Sequence, residues 1–336
     1  MQTLKPIILA LALSLVSLYA ASATGQTVVQ GKPLSAEYLI EKAQVSEEMI
    51  ESLLAGDIVS GVAPDVTDDN LIAVLFAWYP ANISETVETL MRLVNRSGEG
   101  QLLASYELAA EAPFPNVGFD DSELDEVKAL LRFSGGDQFQ LSAAEIAVFQ
   151  QLGKQYGRDT AAARAAVSSA YRDMLEGRYR SYLVAGLGGM DTYKGKGRTV
   201  IDPAAGLQAI VDDIREIEEY YPVFYRNMAN FPDSPEGVEH DFFLEKKLVQ
   251  DRPSFVLIHR MLEIAQDHAL VVAREFYVGH TYESMQVAVV ILPYKDGTLV
   301  TMGTDTFTDR VAGFGSGIAK PIGRRKVAEA VKPILI

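Results

Sequence analysis

The sequence contains no cysteine. This excludes disulfide bonds, thiolate metal ligands, a cysteine nucleophile and a lipid-bearing cysteine at a processed N terminus. Histidine is also scarce, with four residues in the chain. The strand pattern separates His259 from His268 along one hairpin and places His240 and His280 in connecting segments, so no metal ligand set is expected. We therefore predict neither a metal nor another cofactor.

Long apolar runs are also missing, because no stretch after residue 23 approaches the roughly 18 uninterrupted apolar residues of a membrane-spanning helix. At the start of the chain, Lys5 precedes a short apolar run from Ile7 to Tyr19, and Ala21-Ser22-Ala23 has the small-x-small pattern of a cleavage site. This predicts a signal peptide over residues 1–23, with an uncleaved anchor as the alternative. We expect a periplasmic or secreted protein, without stable membrane insertion. The lack of cysteine favours a Gram-negative periplasm.

Basic residues are outnumbered by acidic ones, 30 against 45, which gives a formal charge of −15. Such a charge repels nucleic acid over most of the surface, so we predict no nucleic-acid partner. Hydrophobic residues make up 48% of the chain, which is enough to bury a full core.

The motifs of common enzyme classes are absent. The sequence has no Gly-x-Ser-x-Gly elbow, no Ser-x-x-Lys and no His-x-x-x-His. The glycine-rich bend at 313–317 lacks the Lys-Ser/Thr pair of a phosphate-binding loop. We therefore predict no catalytic residue.

The most informative segment runs from Pro253 to the end of the chain. Two β-hairpins are predicted there, with strands over 255–264 and 269–278, then over 285–294 and 299–307. Both faces of the strand over 285–294 are apolar, so the sheet is either covered on both faces or lines a dry cavity. A final helix follows over about 317–332, after the glycine-rich bend.

Upstream, the hydrophobic periodicity predicts a buried strand and several helices. The strand covers 71–79, and the helices cover 35–55, 84–95 (capped by Ser84), 142–156, 159–184 and 204–230. The predicted parts are a signal peptide over 1–23, an N-terminal helical segment over 24–56, a first α+β part over 57–119, a helical insertion over 120–235, and a second α+β part over 236–336. The fold class is α+β, with a curved antiparallel sheet closed by the C-terminal helix.

Two charged residues lie between apolar neighbours in the first hairpin. If Ile264 pairs with Ala269, Arg260 lies diagonal to Glu275 and His259 lies opposite Arg274. A buried charge must be paired or hydrogen-bonded, so these residues are either a structural ion pair or the polar end of an apolar pocket. The predicted ligand-binding residues are Arg260, Glu275, His259, Tyr282 and Gln286.

The segment from Arg274 to Ser284, continued to Pro333, resembles the C-terminal half of START-like, helix-grip domains. The matching features are the strand pair, the glycine bend after Asp309-Arg310 and the basic terminal helix. The chain looks like a set of uncharacterised exported bacterial proteins with this ending. The resemblance implies a hydrophobic ligand cavity, with the helices over 120–235 as an insertion, and transfers no catalytic residue.

The function predicted from these features is binding of a lipid-like or other hydrophobic small molecule between the sheet and the C-terminal helix. One alternative is a hydrolase or isomerase in the same pocket, with His280 close to Glu275 or Asp305. Another is a periplasmic interaction module that uses the acidic helical region as a partner surface.

Overall fold

The computed structural model describes residues 33–63, 70–97, 100–107, 114–157, 159–197, 199–215, 217–233, 237–308 and 316–335. The predicted signal peptide and residues 309–315, which include most of the glycine bend, lie outside these ranges. In the described part of the chain the fold is α+β, and eight strands form one large, open antiparallel sheet.

The strands of the large sheet follow the order β1-β2-β10-β9-β8-β7-β6-β3. A separate two-stranded sheet consists of β4 and β5. The bounds are β1 Val59–Gly61, β2 Asn70–Tyr79, β3 Gln101–Glu107, β4 Tyr193–Lys194, β5 Val200–Ile201, β6 Glu239–Val249, β7 Arg252–Ile264, β8 Ala269–Val278, β9 Ser284–Tyr294 and β10 Gly297–Phe307.

The helices fall into an N-terminal pair, a helix between β2 and β3, a long helical region and a C-terminal helix. Their bounds are α1 Ala36–Lys42, α2 Glu47–Leu54, α3 Ile83–Ser97, α4 Leu124–Arg132, α5 Ala143–Tyr156, α6 Thr160–Ala185, α7 Pro203–Asp213, α8 Ile217–Tyr220, α9 Pro222–Asn230 and α10 Ser316–Val331. Short 3-10 turns cover Asp121–Glu123, Gly186–Gly189 and Lys332–Ile334.

The predicted register of the first hairpin is confirmed. Ile264 pairs with Ala269, and His259 pairs with Arg274. Glu275 lies opposite Ile258, beside a bulge, and is therefore diagonal to Arg260. In the second hairpin Gly297 pairs directly with Tyr294, which leaves a two-residue turn of Lys295 and Asp296. This tight connection is typical of antiparallel hairpins.

The two faces of the sheet are covered by different elements, as expected from strands that are apolar on both sides. We call one the helical face: it packs on α1, α2 and the helices between 124 and 230, through side chains such as Leu257 and Met261 of β7. We call the other the α3 face: Val256 and Ile258 of β7 share a core cluster there with α3 and the chain end at 334–335. Because side chains alternate along a strand, neighbours in sequence contribute to opposite faces.

The elements on the α3 face are set by topology. The helix α3 connects β2 to β3, which are second and last in the strand order, so it crosses the sheet. The helix α10 packs on β2, where Val327 shares a small cluster with Leu71 and Ala73. The Tyr79 hydroxyl donates a hydrogen bond to the Leu335 carbonyl over 2.7 Å, which attaches the chain end to the same strand.

Three helix predictions were wrong in detail. The segment 204–230 is divided into α7, α8 and α9, and Pro222 starts α9 because proline lacks the N–H that a helix interior requires. Similarly, 35–55 contains two helices, the second capped by Ser46. The α3 cap is Asn82, which accepts from the Glu85 N–H over 3.0 Å, rather than Ser84.

Candidate functional site

The five predicted ligand-binding residues lie on two faces of the sheet. His259 and Gln286 belong to the helical face, where their side chains contact Tyr182 and Met228. Arg260, Glu275 and Tyr282 belong to the α3 face, since Arg260 follows His259 directly along β7 and Glu275 hydrogen-bonds to Tyr282 of the α3-face cluster. The two groups are therefore separated by the sheet.

On the α3 face, Glu275 is the centre of a buried polar cluster. Its Oε1 accepts a hydrogen bond from the Lys247 ammonium over 2.7 Å, and both side chains are fully buried. Its Oε2 accepts from the Tyr282 hydroxyl over 2.5 Å. Burial and the nearby Glu275 carboxylate raise the pKa of Tyr282 well above its ordinary value, so the hydroxyl keeps its proton and remains a donor. We call these three residues and Glu245 the Glu275 cluster.

Glu245 is the unusual member of the cluster. It lies two residues before Lys247 on β6, so both side chains project from the same face. Its side chain is 1% exposed, and its Oε2 has no hydrogen-bond partner among the described residues. Burial raises the pKa of Glu245 to about 8, against a smaller lowering by Lys247. At neutral pH the side chain is therefore an uncharged carboxylic acid.

Apolar side chains surround the Glu275 cluster. Val256, Ile258, Val278 and Met285 belong to the same core cluster as Tyr282. These neighbours provide no hydrogen bond to a carboxyl group, and this explains why burial dominates the pKa of Glu245. A backbone segment also lies close: a Cβ placed on Gly100 would lie 3.4 Å from Glu245 Oε2.

Arg260 is on the α3 face but forms a separate ion pair. It pairs with Asp241, the residue directly opposite on β6, and its guanidinium carbon lies 5.3 Å from the centre of the Phe243 ring. Asp241 precedes Glu245 by four residues, which is about 13 Å along a strand. Arg260 therefore belongs to another part of this face than the Glu275 cluster.

On the helical face, Arg274 is the centre of a second buried network. Its Nε donates to Gln286 Oε1 over 3.1 Å, its Nη1 to the Tyr182 hydroxyl over 3.3 Å and its Nη2 to the Met228 carbonyl over 3.1 Å. The residue is 0% exposed. All three acceptors are neutral.

A chain of hydrogen bonds continues from Tyr182 through two histidines. The Tyr182 hydroxyl lies 3.0 Å from His259 Nδ1, and His259 Nε2 lies 2.9 Å from His240 Nδ1. His240 Nε2 lies 2.9 Å from Asn227 Oδ1, and Asn227 Nδ2 donates to the Val223 carbonyl over 2.8 Å. The sequence placed His240 in a connecting segment, whereas its position in β6, beside β7, brings it to His259.

The Val223 end sets the direction of this chain when both imidazoles are neutral. The Val223 carbonyl can only accept, so Asn227 turns its oxygen to His240, whose Nε2 must donate. In neutral rings the proton is then on Nε2 of His240 and, in turn, on Nε2 of His259, so His259 Nδ1 accepts from the Tyr182 hydroxyl. The Tyr182 oxygen also accepts from Arg274, which can only donate. Burial lowers the pKa of His240, and burial with the nearby His240 and Arg274 lowers the pKa of His259 well below its usual value.

One pair considered for an enzyme, His280 with Glu275, does not form a hydrogen bond. The hydrogen-bond partners of Glu275 are Lys247 and Tyr282, and neither His280 nor Asp305 is among them. His280 instead contacts Thr281 and the Pro253 carbonyl, while Asp305 accepts from Asn70. In the part of the chain that the structure describes, no group of three acidic or histidine side chains could hold a metal ion.

Several residues of these two networks were missed from the sequence. Glu245 and Lys247 belong to a run of three charged residues, Glu245-Lys246-Lys247, which in the sequence is typical of a solvated segment and gives no sign that two of them are buried. The predicted register puts Arg274 opposite His259, but Arg274 is not among the predicted ligand-binding residues. Tyr182 lies in the last turn of a long helix, and nothing in its sequence neighbourhood distinguishes it from a core tyrosine.

Comparison with known proteins gives no relative for this chain. No protein-family model matches it, and no similar protein was found among curated sequences or solved structures. The resemblance to helix-grip domains therefore stays a prediction. None of the described helices is long and apolar enough to cross a bilayer.

Proposed function

We propose that the protein binds an apolar, lipid-like molecule on the α3 face of the sheet, with an uncharged polar group of that molecule at the Glu275 cluster. The observation that carries this proposal is the Glu245 carboxyl group, which is buried among apolar side chains and has an oxygen without a hydrogen-bond partner in the described part of the chain. A binding site for a small apolar ligand typically combines apolar walls with a few polar groups that orient the ligand.

The charges of the cluster favour a neutral polar group. The Lys247 ammonium and the Glu275 carboxylate are paired, and burial keeps Glu245 protonated because its pKa is raised to about 8. The formal charges therefore sum to zero at neutral pH. A hydroxyl, ketone or ester oxygen could accept the Glu245 proton, whereas an anionic group would lie beside the Glu275 carboxylate.

The finer architecture is part of this proposal. In the arrangement implied by a helix-grip fold, the ligand lies between the α3 face, α3 itself and α10. The contacts that support it are those of Val327 with β2 and of the chain end with the core cluster that contains Tyr282. The proposal also includes that the protein is exported, is processed near Ala23 and is periplasmic or secreted.

The first test asks whether the protein carries or takes up such a molecule. Purified protein is extracted with organic solvent for mass spectrometry, and fluorescent sterol and fatty-alcohol probes are titrated into delipidated protein. We expect a co-purified neutral lipid or saturable uptake of a probe. The absence of both would reject the proposal.

The second test uses Glu245→Leu, which keeps the site apolar and leaves the Lys247–Glu275 pair intact. Losing a hydrogen bond to a buried group typically costs about 1–3 kcal/mol, which corresponds to roughly 5- to 150-fold weaker binding. The matched control is Glu145→Gln, because Glu145 pairs with Arg178 on the other side of the sheet. Equal affinity of the Leu variant and the wild type would contradict the role of Glu245.

A second candidate function is acid–base catalysis at the same cluster. Glu245 is a neutral acid at pH 7, since its pKa is raised to about 8, and it lies near the paired Glu275. Two carboxyl groups held in different protonation states are characteristic of such sites. If the protein is an isomerase, a ligand incubated with the wild type is recovered in a different form from the same ligand incubated with Glu245→Gln. Recovery of the same form from both proteins would exclude this function for Glu245.

A further inference from the structure

Arg274 differs from the other buried cations of the described chain in what surrounds it. Three of them each contact a carboxylate: Lys247 with Glu275, Arg178 with Glu145 and Arg260 with Asp241. Arg274 is more completely buried than Arg178 or Arg260, yet among the described residues its hydrogen-bond partners are a side-chain amide, a phenol and a backbone carbonyl. A buried charge is normally balanced by a charged partner.

The count of donors also leaves room for an anion. A guanidinium carries five N–H groups, and Arg274 has three acceptors, so two N–H groups remain. The Gln286 amide adds another poorly satisfied donor, because among the described residues its nitrogen has the Met228 sulfur, at 3.8 Å, as its one hydrogen-bond acceptor, and a thioether is a weak acceptor. The free hydrogen-bonding capacity at this point therefore consists of donors around a positive charge.

Aromatic and apolar side chains enclose the same point. The Tyr182 ring stacks on Phe276 with centroids 4.0 Å apart and on Phe231 with centroids 5.4 Å apart. Met228, whose unbranched side chain repacks easily, contacts Gln286 from the side of α9. An anion that binds here must therefore carry an apolar remainder that can replace or pack against these groups.

The geometry points to Arg274 as a binding site for the carboxylate of a small apolar acid, with Gln286 as a second donor and the side chains of Tyr182, Phe276 and Met228 around the apolar part. A planar carboxylate matches the parallel N–H groups of a guanidinium better than a spherical anion does. This site lies on the helical face, across the sheet from the Glu275 cluster, and does not depend on the function proposed for that cluster.

The binding test compares acids with neutral molecules of the same shape. The full-length protein is titrated with octanoate and benzoate, and in parallel with octanol and benzamide, by calorimetry at pH 7. We expect saturable binding of at least one acid, at least about tenfold tighter than its neutral counterpart, because hydrogen bonds to charged groups are the stronger ones. Acetate, run as a further arm, separates recognition of an apolar acid from general anion binding, and tighter binding of acetate than of octanoate and benzoate would overturn the proposal.

The site is assigned with Arg274→Gln, with the exposed Arg180→Gln on α6 as the charge-matched control. The proposal expects Arg274→Gln to weaken acid binding at least about tenfold and Arg180→Gln to leave it unchanged. Binding of neutral probes at the Glu275 cluster should be unaffected by either change, which keeps the two proposals separable. Equal affinity of Arg274→Gln and wild type, or equal binding of acid and neutral counterpart, would overturn the assignment.

If Arg274→Gln does not fold, the wild type still gives an answer by NMR. His259 is connected to Arg274 through Tyr182, so a bound carboxylate should shift the imidazole signals of His259 and His240 and leave those of the distant His268 in place. Titration with octanoate that moves no histidine signal, or that moves all of them equally, counts against the site.

Discussion

Replacing Glu245 by glutamine should remove part of the pH dependence of the free energy of unfolding. The amide has the size of the carboxylic acid and cannot ionise. In the folded wild type, burial raises the pKa of Glu245 from 4.5 to about 8. Between these two values the folded chain keeps a proton that the unfolded chain has released, so the stability contributed by this group decreases as the pH rises.

The size of the effect follows from the two pKa values. With 4.5 in the unfolded state and about 8 in the folded state, linkage predicts that the wild type loses about 2.5 kcal/mol relative to Glu245→Gln between pH 5 and pH 7. A further loss of about 1.4 kcal/mol follows between pH 7 and pH 9. Other titrating groups are present in both proteins and cancel in the difference.

Urea unfolding of wild type and Glu245→Gln, measured at pH 5, 6, 7, 8 and 9, gives this difference directly. The control is Glu145→Gln, which removes a carboxylate from the ion pair with Arg178 and should lower stability without a comparable gain towards high pH. If the difference in free energy of unfolding between wild type and variant stays constant from pH 5 to pH 9, Glu245 is already ionised at neutral pH. That result would refute the uncharged state of Glu245 in the Glu275 cluster.

Three further predictions concern buried polar groups and close packing. Lys247→Met should lower the free energy of unfolding by about 3–5 kcal/mol, because it leaves the Glu275 carboxylate buried and unpaired. Adding Glu275→Leu should recover most of this loss in urea unfolding, and no recovery would contradict the pairing. The wild type should lose stability below pH 6.5, by about 1.4 kcal/mol per pH unit, because the lowered pKa of His259 means that only the unfolded chain takes up a proton there. His259→Gln should not show this loss, and parallel pH profiles of the two proteins would refute the prediction. Gly297→Ala should destabilise by about 1–3 kcal/mol, since its Cβ would lie 2.2 Å from a backbone oxygen, whereas at Gly303 the nearest atom is 4.0 Å away and alanine should be far better tolerated in thermal unfolding.

Local sequence signals were sufficient to predict the hairpins in the C-terminal part of the sheet. The hairpin formed by β7 and β8 and the one formed by β9 and β10 depend on short connections and alternating side chains, which lie next to each other in the sequence. The register of Ile264 with Ala269 followed from the turn alone and is confirmed. The helix breaks before Ser46 and at Pro222 also have local causes, although the predicted segments ran through them.

The candidate site was harder to predict, because its contacts join residues that are far apart in the sequence. His259 and Arg260 are neighbours in one strand, so a period of two places them on opposite faces, and five anchors that include both cannot converge in one pocket. The partner of Glu275 lies 28 residues away on β6, and the contact requires β6, β7 and β8 to be aligned side by side. Tyr182 reaches the sheet from a helix, and 77 residues of sequence separate it from its partner His259.

The α+β class, the C-terminal hairpins with their register, the excess of acidic residues and the absence of thiol chemistry are all predictable from the sequence alone. These properties depend on composition or on residues close together in the chain. Which charged side chains are desolvated, and which of them acquire a partner, depends on how the chain folds in space. The pKa of Glu245 is raised to about 8, and Arg274 is buried with no carboxylate partner among the residues that the structure describes, because of elements distant in sequence that cover each face of the sheet. Desolvation depends on everything that surrounds a group in space, and that is why these two residues became visible only in the folded chain.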